Sequence, residues 1–266
     1  MNKHKTGAIK DKKDDRDYLI KDYLKPTTLP SSLDLSNTMQ PIRDQGDEGS
    51  CVAFAACAMK ESQEDNEGHL STRFLYERIK QPGGGAYPRD SMDILLKTGV
   101  CPEECQTYVP NTITTPCSNS LELSKQNKIK IYTRLLTIDD MKQCLNQFGC
   151  FSITFMIYDG WIEPDSNHVV HTTGNALGGH NVTCCGYNNN TKLLKFKNSW
   201  GTSWGKEGYG YISYSDAITT LYDAWKSIDI PESDEEKLTP PEPEPKPEPW
   251  YILLWKWLMS LSNRIK

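Results

Sequence analysis

Lys197-Asn198-Ser199-Trp200-Gly201-Thr202-Ser203-Trp204-Gly205 is the most telling run of this chain. It is preceded by Gly179-His180-Asn181 and, far upstream, by Gln45-Gly46-Asp47-Glu48-Gly49-Ser50-Cys51. A thiol nucleophile needs a base within hydrogen-bond reach and a third group that orients the base. Cys51, His180 and Asn198 supply these three types of group, with His180 129 residues and Asn198 147 residues after the cysteine. Three motifs in order at such separations are far more specific than one short pattern.

These motifs resemble those of the papain-like cysteine peptidases, in which His and Asn follow the nucleophile by about 130 to 150 residues. The resemblance implies an α+β fold of two lobes, a helical lobe carrying Cys51 and a β-barrel-like lobe carrying His180 and Asn198, with the cleft between them. It implies a protease acting on a protein or peptide substrate without a cofactor. It assigns Cys51 as nucleophile, His180 as its ion-pair partner and Asn198 as the residue orienting the imidazole. Gln45, with the Cys51 backbone N–H, would form the oxyanion hole, and Trp200 would shield the His180–Asn198 bond. Two positions depart from the family pattern. Glu48 stands where secreted relatives have a bridging cysteine, and Val52 replaces an aromatic after the nucleophile.

The residues support this reading on their own account. Cys51-Val52-Ala53-Phe54-Ala55-Ala56-Cys57-Ala58-Met59-Lys60 suits a buried helix that starts at the cysteine, and a helix N-terminus stabilises a thiolate. Helices are expected over Ser71–Lys80 and Ser91–Lys97, joined by Gln81-Pro82-Gly83-Gly84-Gly85-Ala86-Tyr87-Pro88. That turn is either a surface loop or the cleft wall that pairs with a substrate backbone; its likeness to the family favours the wall, with Gly85, Ala86 and Tyr87, and Trp200 farther along the chain, as substrate contacts. Strand-like runs follow at Lys128–Leu136, Cys150–Tyr158, Asn181–Tyr187, Leu193–Asn198 and Gly208–Ser213. Helices first and strands second is the α+β order.

Composition narrows the classes. The 266 residues carry a net charge of -5, and no nucleic-acid partner is expected of such a chain. Nine cysteines cannot all pair within it. Residues 1–21 have no apolar run of the kind a signal peptide needs, so the reading is synthesis in the cytosol, in a host cell or virion if the source is viral, with reduced thiols. Cys101, Cys105 and Cys117 read as core or surface thiols and not as a metal site. A monomer is expected.

Four segments are expected. Residues 1–28 form a polar leader, either a solvated arm or an inhibitory segment, and its Asp14-Asp15-Arg16-Asp17-Tyr18 resembles relatives poor in pro-region from bacteria and large DNA viruses. Residues 29–228 form the peptidase domain. Residues 229–249 hold eight acidic residues and seven prolines, an extended linker. Residues 250–266 form an amphipathic tail for which a membrane surface, a partner groove and a shortened span all stay open. Two other uses of the fold also stay open: a catalytically silent binding module, and acyl transfer or deubiquitination by the same triad.

Overall fold

The computed structural model describes residues 4–64 and 68–228. The acidic linker and the tail therefore lie outside the described residues. In chain order the elements are β1 (Ser32–Asp34), α1 (Cys51–Glu61), α2 (Thr72–Ile79), α3 (Pro88–Lys97), α4 (Ser120–Ser124), β2 (Ile131–Arg134), α5 (Ile138–Phe148), β3 (Phe151–Tyr158), β4 (Ala176–Asn188), β5 (Leu193–Lys197), β6 (Tyr209–Ser213), α6 (Tyr214–Thr220) and β7 (Leu221–Ile228). Helices dominate the first half and one antiparallel sheet the second, in the order β2-β7-β3-β4-β5-β6 with β1 added to β4.

Alanine-rich sequence and small side chains let α1 sit inside the protein, and all of its residues are buried, including Lys60 and Glu61. Ser71 caps α2 by accepting from the Phe74 N–H, and Pro88 opens α3, where a missing N–H costs nothing. α1 packs on β4, and the Thr183 hydroxyl donates to the Ala55 carbonyl at 3.1 Å. That contact joins the helical half to the sheet beside the cleft. Within the sheet, Phe155 of β3 faces His180 of β4, and β4 pairs with β5 through Thr183 and Lys197. His180 and the residue just beyond β5, Asn198, are thereby neighbours although 18 positions apart.

One expectation about cysteine needs correction. Cys105 and Cys117 form a disulfide with their Cα atoms 5.0 Å apart, where reduced thiols were expected. A turn brings them together, with the Cys117 N–H donating to the Cys105 carbonyl at 2.7 Å. Glu48, the departure from the family pattern, does not leave a gap. Arg73 donates to its two carboxylate oxygens at 3.0 and 2.6 Å, and the Tyr108 hydroxyl and Asn111 N–H add bonds at 2.8 and 3.2 Å. An ion pair with three donor residues takes up a position that secreted relatives fill with a cross-link.

Candidate active site

Cys51 is the first residue of α1 and is fully buried. The backbone N–H groups of Asn181, Gly7, Val52 and Cys51 itself bear on its sulfur. His180 and Asn198 are also buried, and His180 Nε2 lies 2.8 Å from Asn198 Oδ1. That oxygen also accepts from the Ser199 N–H at 2.8 Å, which fixes the amide's orientation and makes Nε2 the protonated nitrogen. His180 Nδ1 is buried without a hydrogen-bond partner. The Trp200 ring lies 4.6 Å from the imidazole and covers it, and Trp161 meets the same imidazole edge-on at 6.2 Å.

Gln45 is fully buried. Its Oε1 accepts from the Ser199 hydroxyl at 2.7 Å, so its Nε2 is the donor end, spent on the carbonyls of Glu48 at 2.8 Å and Lys5 at 3.0 Å. Lys5 belongs to the leader. Residues 4–9 of that segment run through the cleft, Ala8 bridging antiparallel to Gly179 on one wall and parallel to Ala86 on the other. Gly7 and Ala8 donate to the Gly179 carbonyl at 3.1 and 2.9 Å. Ile9 donates to the Ala86 carbonyl at 2.9 Å, and Ala86 returns a bond to the Gly7 carbonyl at 2.8 Å. Glycine is required where the backbones touch: a Cβ at Gly7 would lie 2.1 Å from the Gly49 carbonyl, and one at Gly179 would lie 2.0 Å from that of Ala8. Farther out, His4 stacks on Trp200 at 5.2 Å and pairs with Asp44 at 2.9 Å.

Of the substrate contacts read from sequence, Ala86 and Gly85 face the leader and Trp200 lies under His4. Tyr87 serves as the residue before α3, its carbonyl accepting from Asp90. Gly179, the Asn181 N–H and Ser199 were missed, because each acts through its backbone or through another residue. The one available signal was Gly178-Gly179 before the histidine.

Burial bears on both groups of the expected ion pair. Burial pushes the Cys51 thiol up to about 11, outweighing the N–H groups directed at it. Burial also pulls His180 down to about 4 despite its bond to Asn198. In each case burial works against the charged form. Among the described residues no group of three His, Cys, Asp or Glu side chains is set to hold a metal ion.

Residues 29–223 match the model of the papain family cysteine proteases. The chain belongs to the papain family of cysteine proteases. It is 30% identical to a peptidase C1-like protein of Acanthamoeba polyphaga mimivirus, over 78% of this chain and 81% of the relative. A cathepsin B-like protein of Giardia intestinalis is 26% identical over 68% of each chain. Among solved structures, xylellain, a cysteine protease from Xylella fastidiosa, superposes with a TM-score of 0.77 at 27% identity, covering 86% of this chain and 98% of xylellain. A virus and a bacterium are the two sources that the leader motif suggests. As a papain-family member the chain is a cysteine peptidase, a hydrolase acting on protein substrates. No helix among the described residues is long and apolar enough to cross a membrane.

Proposed function

We propose that this papain-family peptidase is an endopeptidase working through Cys51, His180, Asn198 and Gln45, and that residues 4–11 of its leader close the cleft until displaced. The observation that carries the reading is the Lys5 carbonyl held by Gln45 Nε2 at 3.0 Å, with Gly7, two residues on, donating to the carbonyl of Gly179, the residue before His180, at 3.1 Å. A polypeptide backbone thus already lies across the site, with a carbonyl at the amide assigned to the oxyanion.

In the open cleft, water returns to the pair and makes the charged form affordable, and the α1 N-terminus then favours the thiolate. The sulfur adds to a peptide carbonyl, whose oxygen takes the negative charge and accepts from Gln45 Nε2 and the Cys51 N–H. His180 Nδ1 gives its proton to the leaving amine, and the C–N bond breaks to leave an acyl-thioester. A water that loses its proton to His180 then hydrolyses the thioester and restores the thiol. Asn198 keeps Nε2–H engaged so that Nδ1 faces the chemistry throughout, and the Trp200 ring keeps that bond dry.

The test is turnover of a fluorogenic peptide by the full chain and by Gly7→Val, whose Cβ the closed cleft cannot accept. Gly7→Val is expected to raise kcat/KM with the fold unchanged. Cys51→Ala in that background should lower kcat more than about a thousandfold, and Asn198→Ala less. Substantial turnover in Cys51→Ala would end the endopeptidase reading. Equal rates for Gly7→Val and the parent would leave the leader a bystander.

A further inference from the structure

Past the nucleophile the leader buries a carboxylate against α3 and β7. Asp11 is buried. One of its oxygens accepts from Trp225 Nε1 at 2.9 Å, and both accept from the Arg89 backbone N–H at 3.1 and 3.3 Å, in the first turn of α3. Its own N–H donates to Asp223 at 2.8 Å. Trp225, 1% exposed, lies beneath two guanidinium groups, Arg89 at 4.8 Å and Arg134 at 5.3 Å from its ring. Asp17 of the leader grips both guanidiniums from outside: Arg89 Nη2 donates to it at 2.9 Å, Arg89 Nη1 donates to its other oxygen, and Arg134 Nη1 donates at 3.1 Å. Arg134 also pairs with Asp223.

We propose that this cluster, built from Arg89, Trp225 and Arg134 beside the cleft, is a substrate side-chain pocket that selects aspartate or glutamate. The proposal rests on the leader being displaceable. With the leader in place, Asp11, Asp17 and Asp223 face Arg89 and Arg134, with Lys10 of the leader near Asp223. With it gone, Asp223 stays against Arg134, Asp90 and Asp93 of α3 stay within reach of Arg89, and the Trp225 and Arg89 N–H donors lose their acceptor. Planar guanidinium groups stacked on an indole are preorganised for bidentate carboxylate recognition. In the closed cleft burial and then Asp223 push Asp11 up to about 7, against the bond from Trp225 and the charge and N–H of Arg89. Asp223 has a second use: it accepts the backbone N–H of the residue in the pocket.

The experiment uses the full chain carrying Gly7→Val to open the cleft, with Asp11→Ala and Asp17→Ala to remove the resident carboxylates. Peptides are varied at each position around the scissile bond, comparing Glu with Gln. At one position the Glu peptide is expected to show a KM roughly tenfold below its Gln twin, the effect of charge-assisted hydrogen bonds in a partly buried site. Adding Arg134→Gln should bring that ratio close to one, whereas Asp223→Asn should widen it by removing the opposing charge. Equal KM values for Glu and Gln at every position, or a Glu preference indifferent to both variants, overturns the proposal. If neither peptide is cut, the endopeptidase reading is at fault. Calorimetric titration of the same two peptides into the Cys51→Ala form then decides the pocket: tighter Glu binding supports it, and equal binding refutes it.

Discussion

His180 divides its two nitrogens between separate duties, and the division is set by a neighbour. Ser199 N–H on Asn198 Oδ1 turns the asparagine, the asparagine takes Nε2, and Nδ1 is left without a partner. The charge state follows from burial. In the closed cleft the Cys51 thiol is raised to about 11, so the docked leader is favoured below the ordinary thiol range and loses that contribution as pH rises towards 11. Alkylation by iodoacetamide should therefore be slow in the full chain at pH 8 and climb only at strongly alkaline pH, while Gly7→Val reacts readily near neutrality. Mass-spectrometric location of the adduct on Cys51 checks this, and identical rate profiles would contradict it. The catalytic side chains were readable from sequence because thiol, imidazole and amide chemistry is written in residue type. The N–H groups of Asn181 and Gly7 were not, because any residue carries a backbone amide.

At the scale of elements, the Glu48–Arg73 pair fastens the loop before α1 to α2, with both side chains nearly excluded from solvent. Burial raises the Glu48 carboxyl, but the bonds from Arg73 and Tyr108 and the Arg73 charge outweigh it and hold it below the usual carboxylate range. A depressed carboxylate contributes stability above its unfolded pKa and loses it as pH falls through the folded value. Glu48→Ala, which leaves the buried Arg73 with Glu77 and the Val109 carbonyl as its remaining partners, should cost about 1 to 3 kcal/mol in denaturant unfolding at pH 7. A loss under about 1 kcal/mol would mean that Arg73 finds another partner. α1 was legible in its first residue, since apolar small side chains begin at Cys51. β7 was not, because Asp223 and Lys226 interrupt the apolar pattern. Both are buried in partnership, Asp223 with Arg134 and Lys226 with the Cys150 carbonyl at 2.8 Å. β4 starts at Ala176, ahead of the Asn181 expected, because Gly178 and Gly179 read as loop while pairing with β3 keeps them extended. α5 was overlooked although Thr137 and Asp140 form its capping box.

Across the whole molecule the leader meets groups that titrate in opposite senses, His180 on one side and Asp11 with its neighbour Asp223, raised to about 6 by burial, on the other. Docking pulls His180 down to about 4, so its contribution is complete above the ordinary imidazole range and fades as pH falls from about 6.5 towards 4. Docking raises Asp11 to about 7, so its contribution is present in acid and fades as pH rises from the ordinary carboxyl range through 7. Between pH 4 and 6.5 the two oppose each other. The restraint, read as kcat/KM of Gly7→Val over that of the parent, should therefore change little across that range. Asp11→Asn removes part of one side of the balance, and the ratio for that variant should fall on acidification. An equally flat ratio would show that Asp11 takes no part. None of this was visible in the polar leader, where a solvated arm fitted the composition as well as a docked segment, since its docking bonds are mostly main-chain.

The leader's path through the cleft also gives the protein a mechanical asymmetry. Starting from the chain ahead of His4, the bonds lie in series: the His4 stack, the Lys5 carbonyl, the Gly7 and Ala8 amides, the Ile9 amide and then the Asp11 carboxylate. Traction applied there peels one or two bonds at a time and needs little force at any instant. Traction from the other end first meets buried Ile20, the Tyr18 carbonyl tied to the Arg134 N–H and the Asp17 grip, which load together in shear. A weight hung on the first residues is thus the gentle way to uncover the nucleophile, and one hung beyond Ile20 leaves it covered.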